Sequence, residues 1–313
     1  MRRLLLSGVA VFALGACASN DATDGLGLAA DTVSLPETEI FLAPLSFDRD
    51  MPVVGELRNI SQHTGYDNQP SFLPGAAAFY YVSEGASGKT DVWRYDIAED
   101  DNTRVYASSG VSEYSPKAAP GDYGVSYIQE NQAADITRVH VMPASGGAGA
   151  PVIELAPLGY YAWLRDGEKL GVYLRSDPAA LHLVDIESGQ SEMIAENIGR
   201  SLHATPDGRG LYFTRADADE IHSVMYFDLN TDAVTTIADL PAGAEDFTVF
   251  FTGPNEVGGL LAGDGSTLLF NALESEMAEW REVGDYAARR LNNITRIAIS
   301  DDHAWIALVA QSQ

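Results

Sequence analysis

Apolar and polar residues alternate along most of the chain in short runs rich in Val, Ile, Tyr, Phe and Thr, with Gly, Pro, Asn and Asp filling the gaps. Runs of this composition bounded by turn residues read as strands, and no stretch shows a sustained 3.6-residue period. The best helical stretch, 275–290 (SEMAEWREVGDYAARR), is short and interrupted by Gly284, and part of it is expected to be a strand. Turn signals recur between paired apolar runs: SFLPGAAAFYYVS, KAAPGDYGVSYI, WLRDGEKLGVYL, ATPDGRGLYFTR, FFTGPNEVGGLL and IAISDDHAWIALV. Their markers are Gly75, Gly121, Gly167, Gly208, Gly253 and Asp302, spaced 46, 46, 41, 45 and 49 residues apart.

Each unit follows one grammar. A short strand leads into the turn and a longer aromatic strand leaves it. A third strand often ends in Asp plus an aliphatic (DVWRYDI at 91–97, LHLVDI at 181–186, MYFDL at 225–229), and a fourth closes the unit after a polar turn (TRVYA at 103–107, SEMIA at 191–195, AVTTIA at 233–238). Four strands every 40–50 residues predict an all-β fold, a six-bladed β-propeller. The last unit supplies only 294–300 and 304–310. The segments 39–47 and 53–61 stand unassigned before the first unit and fit a third and a fourth strand. N-terminal strands pairing with C-terminal strands are therefore expected to close the last blade, which removes exposed sheet edges. A two-domain β-sandwich array is the other arrangement, and it leaves the regular spacing unexplained.

NISQHTGYDNQPSFLPG (59–75) resembles the repeat of the TolB-like propeller group, a WD40-like repeat, in which a polar loop with an Asp leads into Pro, an aromatic strand and a Pro-Asp-Gly turn. LHATPDGRGLYF (202–213) matches that turn best. Pro74-Gly75 and Pro120-Gly121 lack the Asp, and the last unit carries Asp301-Asp302. The resemblance covers roughly residues 39–313 and implies a fold more than a chemistry, because propellers host binding, scaffolding and unrelated reactions.

The N-terminus carries Arg2 and Arg3, then an apolar run from Leu4 to Leu14 broken only by Ser7, then Leu14-Gly15-Ala16-Cys17. The run is too short for a permanent span and fits a secretory signal. The tetrapeptide resembles the bacterial lipobox, and Cys17 is the only cysteine of the chain. This implies a signal peptide over 1–16, lipidation of Cys17, a flexible acidic tether over 17–37 and a propeller domain over 38–313. A lipoprotein in the bacterial periplasm follows, lipid-anchored without a spanning helix. Ala18 after the cysteine favours the outer membrane. Single-cysteine usage excludes a disulfide framework and multi-Cys metal motifs. With 19 Lys+Arg against 45 Asp+Glu the formal charge is −26, a polyanion that disfavours nucleic acid.

No Gly-x-Ser-x-Gly elbow and no phosphate-binding glycine loop occurs. In a propeller the segments leading into the innermost strands ring one mouth of the central channel, and a functional site is expected there. Those segments offer Tyr66, Asp67, Asn68 and Gln69; Glu113 and Tyr114; Tyr160 and Tyr161; Arg200, Ser201 and His203; Glu245 and Asp246; and Arg290, Asn292 and Asn293. His140, His182 and His222 fall in third strands and read as hydrogen-bonding residues. Two function classes remain open. One is a non-catalytic binding or scaffold propeller for a protein, peptide or cell-envelope ligand, expected to act as a monomer without a resident cofactor. The other is a calcium-dependent hydrolase of the gluconolactonase type, with Ca²⁺ held by acids and amides such as Asp67, Glu113, Glu245, Asp246 and Asn292.

Overall fold

The computed structural model describes residues 35–312 except 107–109, 122, 133–135, 156, 254–255 and 274–278. The proposed lipidation residue Cys17, the signal peptide and nearly all of the tether lie outside the described residues. Strands dominate the remainder and form six antiparallel sheets, the blades of a six-bladed β-propeller.

Five blades are simple meanders. Blade 1 runs through Asp67–Phe72, Ala78–Glu84, Thr90–Asp96 and Asp101–Tyr106. Blade 2 spans Ser112–Ala118 to Ala150–Glu154, and blade 3 spans Leu158–Leu164 to Ser191–Glu196. Blade 4 spans Ile198–Ala204 to Ala233–Asp239. Blade 5 spans Phe247–Gly253 to Arg281–Asp285, so the stretch with helical character does supply a fourth strand. Blade 6 takes its first two strands, Leu291–Ile299 and Trp305–Ser312, from the C-terminus and its third, Glu39–Asp48, from the N-terminus. The closing register sets Phe41 opposite Leu308 and Ala43 opposite Ile306.

The fourth strand of blade 6 is split, where the sequence pattern points to one continuous strand over 53–61. Met51–Val54 and Arg58–Asn59 each pair with the third strand, and Gly55, Glu56 and Leu57 lie between them. The break lies opposite Pro44, which has no amide hydrogen to give a ladder; only its carbonyl is used, accepting from the Gly55 amide at 2.8 Å.

Burial on both faces explains why the second strands read as near-continuous apolar runs. In blade 4, Leu211 and Phe213 pack toward blade 3 while Tyr212 packs toward blade 5. In blade 6, Ile306 and Leu308 face blade 5 while Ala307 and Val309 face blade 1. One apolar cluster fills each of the six seams.

The recurring Asp at third-strand ends caps a turn: Asp96 accepts from the Ala98 and Glu99 amides, Asp185 from that of Ser188, and Asp228 from that of Asn230. The turns between first and second strands place Gly75, Gly121, Gly167 and Gly208 in the left-handed region; in blade 6 His303 takes that conformation at φ 58°.

Candidate functional site

The first strand of each meander is the innermost. Residues from these six strands and the turns that follow them line a central cavity of about 700 Å³. Five of these strands carry a register shift near their leading end, between Asn68 and Ser71, Tyr114 and Lys117, Leu158 and Tyr160, Ile198 and Leu202, and Asn292 and Arg296. Such bulges re-aim side chains. Lys117, Tyr160 and Arg296 are each the first residue to pair again after the shift, and all three line the cavity.

The expected mouth residues divide into three groups. Gln69, Tyr160, Tyr161, Arg200, His203 and Asp246 line the cavity. Asp67, Asn68 and Glu113 are buried in the seams. Asn68 donates to the Thr38 hydroxyl and accepts from the Gln69 amide, Glu113 accepts through its carbonyl from Thr90, and Asp67 has His63 at 3.4 Å. Burial raises the Asp67 carboxyl, and hydrogen bonding by Ser83 and His63 only partly offsets it. The third group sits at the mouth or beside it. Glu245 pairs with Arg200 at 3.0 Å, about half exposed. Tyr114 is half-buried against the seam of blades 2 and 3. Asn292 lies in the innermost strand of blade 6, outside the cavity lining.

Tyr161 is more structural than its position suggests: it is buried and donates to Ser126 at 2.8 Å. Tyr66 is also buried, and its hydroxyl lies in the electrostatic field of Tyr160, Arg296, Tyr114 and Arg200. Burial comes first among the causes that raise its pKa.

Asp246 and Arg296 organise the channel interior. Asp246 accepts from the Ser201 hydroxyl on blade 4 and faces Arg296 of blade 6 at 3.5 Å. The Arg296 guanidinium also lies 4.7 Å from the centre of the Tyr160 ring, a cation–π contact. Burial opposes the Arg296 charge, but Tyr160, Asp246 and Tyr66 outweigh it and hold the group protonated. Burial likewise lifts the Asp246 carboxyl, against the pull of Arg296 and Ser201. His203 donates its Nε2 hydrogen to the Phe247 carbonyl at 2.7 Å; burial and the nearby Lys117 push the imidazole down to about 3, so it is neutral.

Sequence reasoning missed Lys117, Arg296 and the aromatic wall formed with Trp163, Phe72 and Phe251. One signal was available. Lys117 follows Pro116 where blade 1 has Ser71 after Pro70, so superposing the repeats exposes a lone cation at a small-residue position.

Among the described residues no group of three or more His, Cys, Asp or Glu is gathered as a metal site. The acids proposed for Ca²⁺ are spread over the seams, the rim and the channel: Asp246 faces Arg296, Glu245 faces Arg200, and Asp67 and Glu113 are buried in different seams.

No known family profile matches the chain, and no curated protein is similar to it in sequence. Solved structures are similar in fold. A putative TolB from Agrobacterium tumefaciens matches with a TM-score of 0.65 at 16% identity, over 88% of this chain and 99% of that one. TolB from Acinetobacter baumannii matches with 0.56 at 10% identity, over 88% of this chain and 64% of that one. An oligogalacturonate lyase in complex with manganese matches with 0.54 at 11% identity, over 84% and 83%. Likeness at these identities concerns the propeller alone.

Proposed function

On a six-bladed propeller of TolB-like fold, we propose a non-catalytic binding or scaffold module of the bacterial periplasm, lipid-anchored through Cys17 to the outer membrane. It grips a protein, peptide or cell-envelope ligand at the mouth where the inner strands begin. The observation that carries this reading is that Tyr160, Arg200 and Arg296, from blades 3, 4 and 6, line one central cavity. Tyrosine and arginine give large contact area with directed hydrogen bonds, the chemistry enriched where proteins recognise one another.

A photoreactive residue replacing Tyr160 is expected to crosslink to an envelope component, whereas one replacing Thr235 on an outermost strand is not. Equal labelling from both positions, or none from either, rejects the mouth as the binding site. Cys17→Ser is expected to move the protein from the membrane to the soluble fraction; continued membrane attachment refutes the anchor.

The calcium-dependent hydrolase is the weaker reading, because Asp246, which lines the channel, faces Arg296, Glu245 faces Arg200, and no group of three or more acids or histidines is gathered among the described residues. Millimolar Ca²⁺ is expected to leave Tm unchanged, since an ion that binds the folded state raises it.

A further inference from the structure

We propose that the middle of the channel binds the carboxylate of a small organic monoanion, with Lys117 as its counter-charge and the aromatic wall holding its apolar body. This rests on the reading of the channel as a binding site and names the chemistry of what enters it.

The argument begins with charge. In a chain with 45 acids and 19 bases, three of the bases, Lys117, Arg200 and Arg296, line one cavity. Two are answered: Arg296 by Asp246 at 3.5 Å and Arg200 by Glu245 at 3.0 Å. Lys117 forms no ion pair with any described residue. The charge that acts on it is Arg296, which repels it. Lys117, His203 and Arg296 stand on blades 2, 4 and 6, and all three line the cavity. His203 adds no charge, since its proton sits on Nε2 and is given to Phe247. Asp301, the other acid of the lining, accepts from the Gly75 amide and forms no ion pair with Lys117, so the ammonium is left without a carboxylate partner in a cavity of about 700 Å³. A partly buried, unpaired ammonium is costly until an anion meets it.

The neighbours define the anion. Asp246 beside Arg296 repels a second negative charge, so a monoanion fits better than a phosphate dianion. The same cavity is lined by Trp163, Leu202, Val249, Phe72 and Phe251. The Trp163 indole hydrogen is already given to Ser126 at 2.8 Å, so the ring offers its apolar surface. A carboxylate on an apolar or aromatic body satisfies both halves of the site, whether it is a free acid or the end group of a peptide.

Calorimetric titration of the purified protein tests this with benzoate and N-acetylphenylalanine, their neutral twins benzamide and N-acetylphenylalanine amide, and inorganic phosphate. Both acids are expected to bind, the amides not at all, and phosphate more weakly. The tighter of the two acids distinguishes a free acid from a peptide end group. Lys117→Met should weaken benzoate at least tenfold, as loss of a charged hydrogen bond does, while Lys117→Arg retains it. Asp246→Asn, which frees Arg296, should tighten benzoate and admit phosphate. Amides binding as well as acids, phosphate binding tightest, no acid binding, or an unchanged Lys117→Met affinity would each overturn the proposal. Failure here leaves crosslinking from position 160 untouched, and failed crosslinking with intact benzoate binding overturns only the partner reading.

Discussion

Lys117 shows how one side chain carries a stability cost that the fold tolerates. Burial, with Arg296 repelling it, lowers its pKa from 10.5 to about 8. Between those values the unfolded chain binds the proton more tightly than the native one, so native stability contributed by this group rises as pH climbs from 8 to 10.5 and is lowest below 8. Lys117→Met is therefore expected to stabilise the protein by about 2 kcal/mol near pH 7, allowing for water in the channel. That gain should fade by about pH 10.5, as urea melts of both proteins at the two pH values will show; a pH-independent difference refutes the assignment. The opposite substitution class is Asp246→Ala, which strands Arg296 beside Tyr160 and should cost about 2 kcal/mol in the same melts.

At the level of the strand and the turn, the repeat is a packing device. Gly208 sits at φ 66°, and a Cβ there would stand 2.7 Å from the Arg165 amide nitrogen, which itself donates to the Gly208 carbonyl at 3.0 Å. One Asp-Gly turn thus ties blade 4 to blade 3. Gly208→Ala should destabilise by about 2 kcal/mol through left-handed strain plus the clash, whereas Gly75→Ala, with nothing within 4 Å, should cost only the strain of about 1 kcal/mol. Thermal melts rank the pair. The six-unit spacing and the Asp-capped third strands were legible because strand period and turn chemistry are local. The split outer strand opposite Pro44 was not, since its cause lies in the partner strand and not in the segment itself.

For the molecule as a whole, closure and charge set the terms. The third strand of blade 6 is buried between the C-terminal strand and the outer edge, so removing residues 305–313 would expose the edges of two strands and the seams to blades 1 and 5. That truncation is expected to abolish cooperative unfolding and to aggregate on gel filtration; a monomeric, sharply melting product would show that blade 6 is dispensable. The net charge of −26 repels itself in the compact state. Stability should therefore rise between about 10 and 300 mM NaCl as the Debye length shrinks, and a flat response would show that the acids are too far apart or too well paired to matter.

The chain by itself determined the number of blades and the way the ring is closed, because turn chemistry and repeat length are written in neighbouring residues. It also marked Tyr160, Arg200, His203 and Asp246 as channel residues. Only the tertiary structure decided that Asp67, Asn68, Glu113 and Tyr161 serve the seams, and that Lys117 stands unpaired while Asp246 and Glu245 are taken by arginines. The reason is physical: which charges neutralise one another depends on distances across a channel, between residues as far apart in sequence as Lys117 and Arg296, and no local pattern encodes those distances.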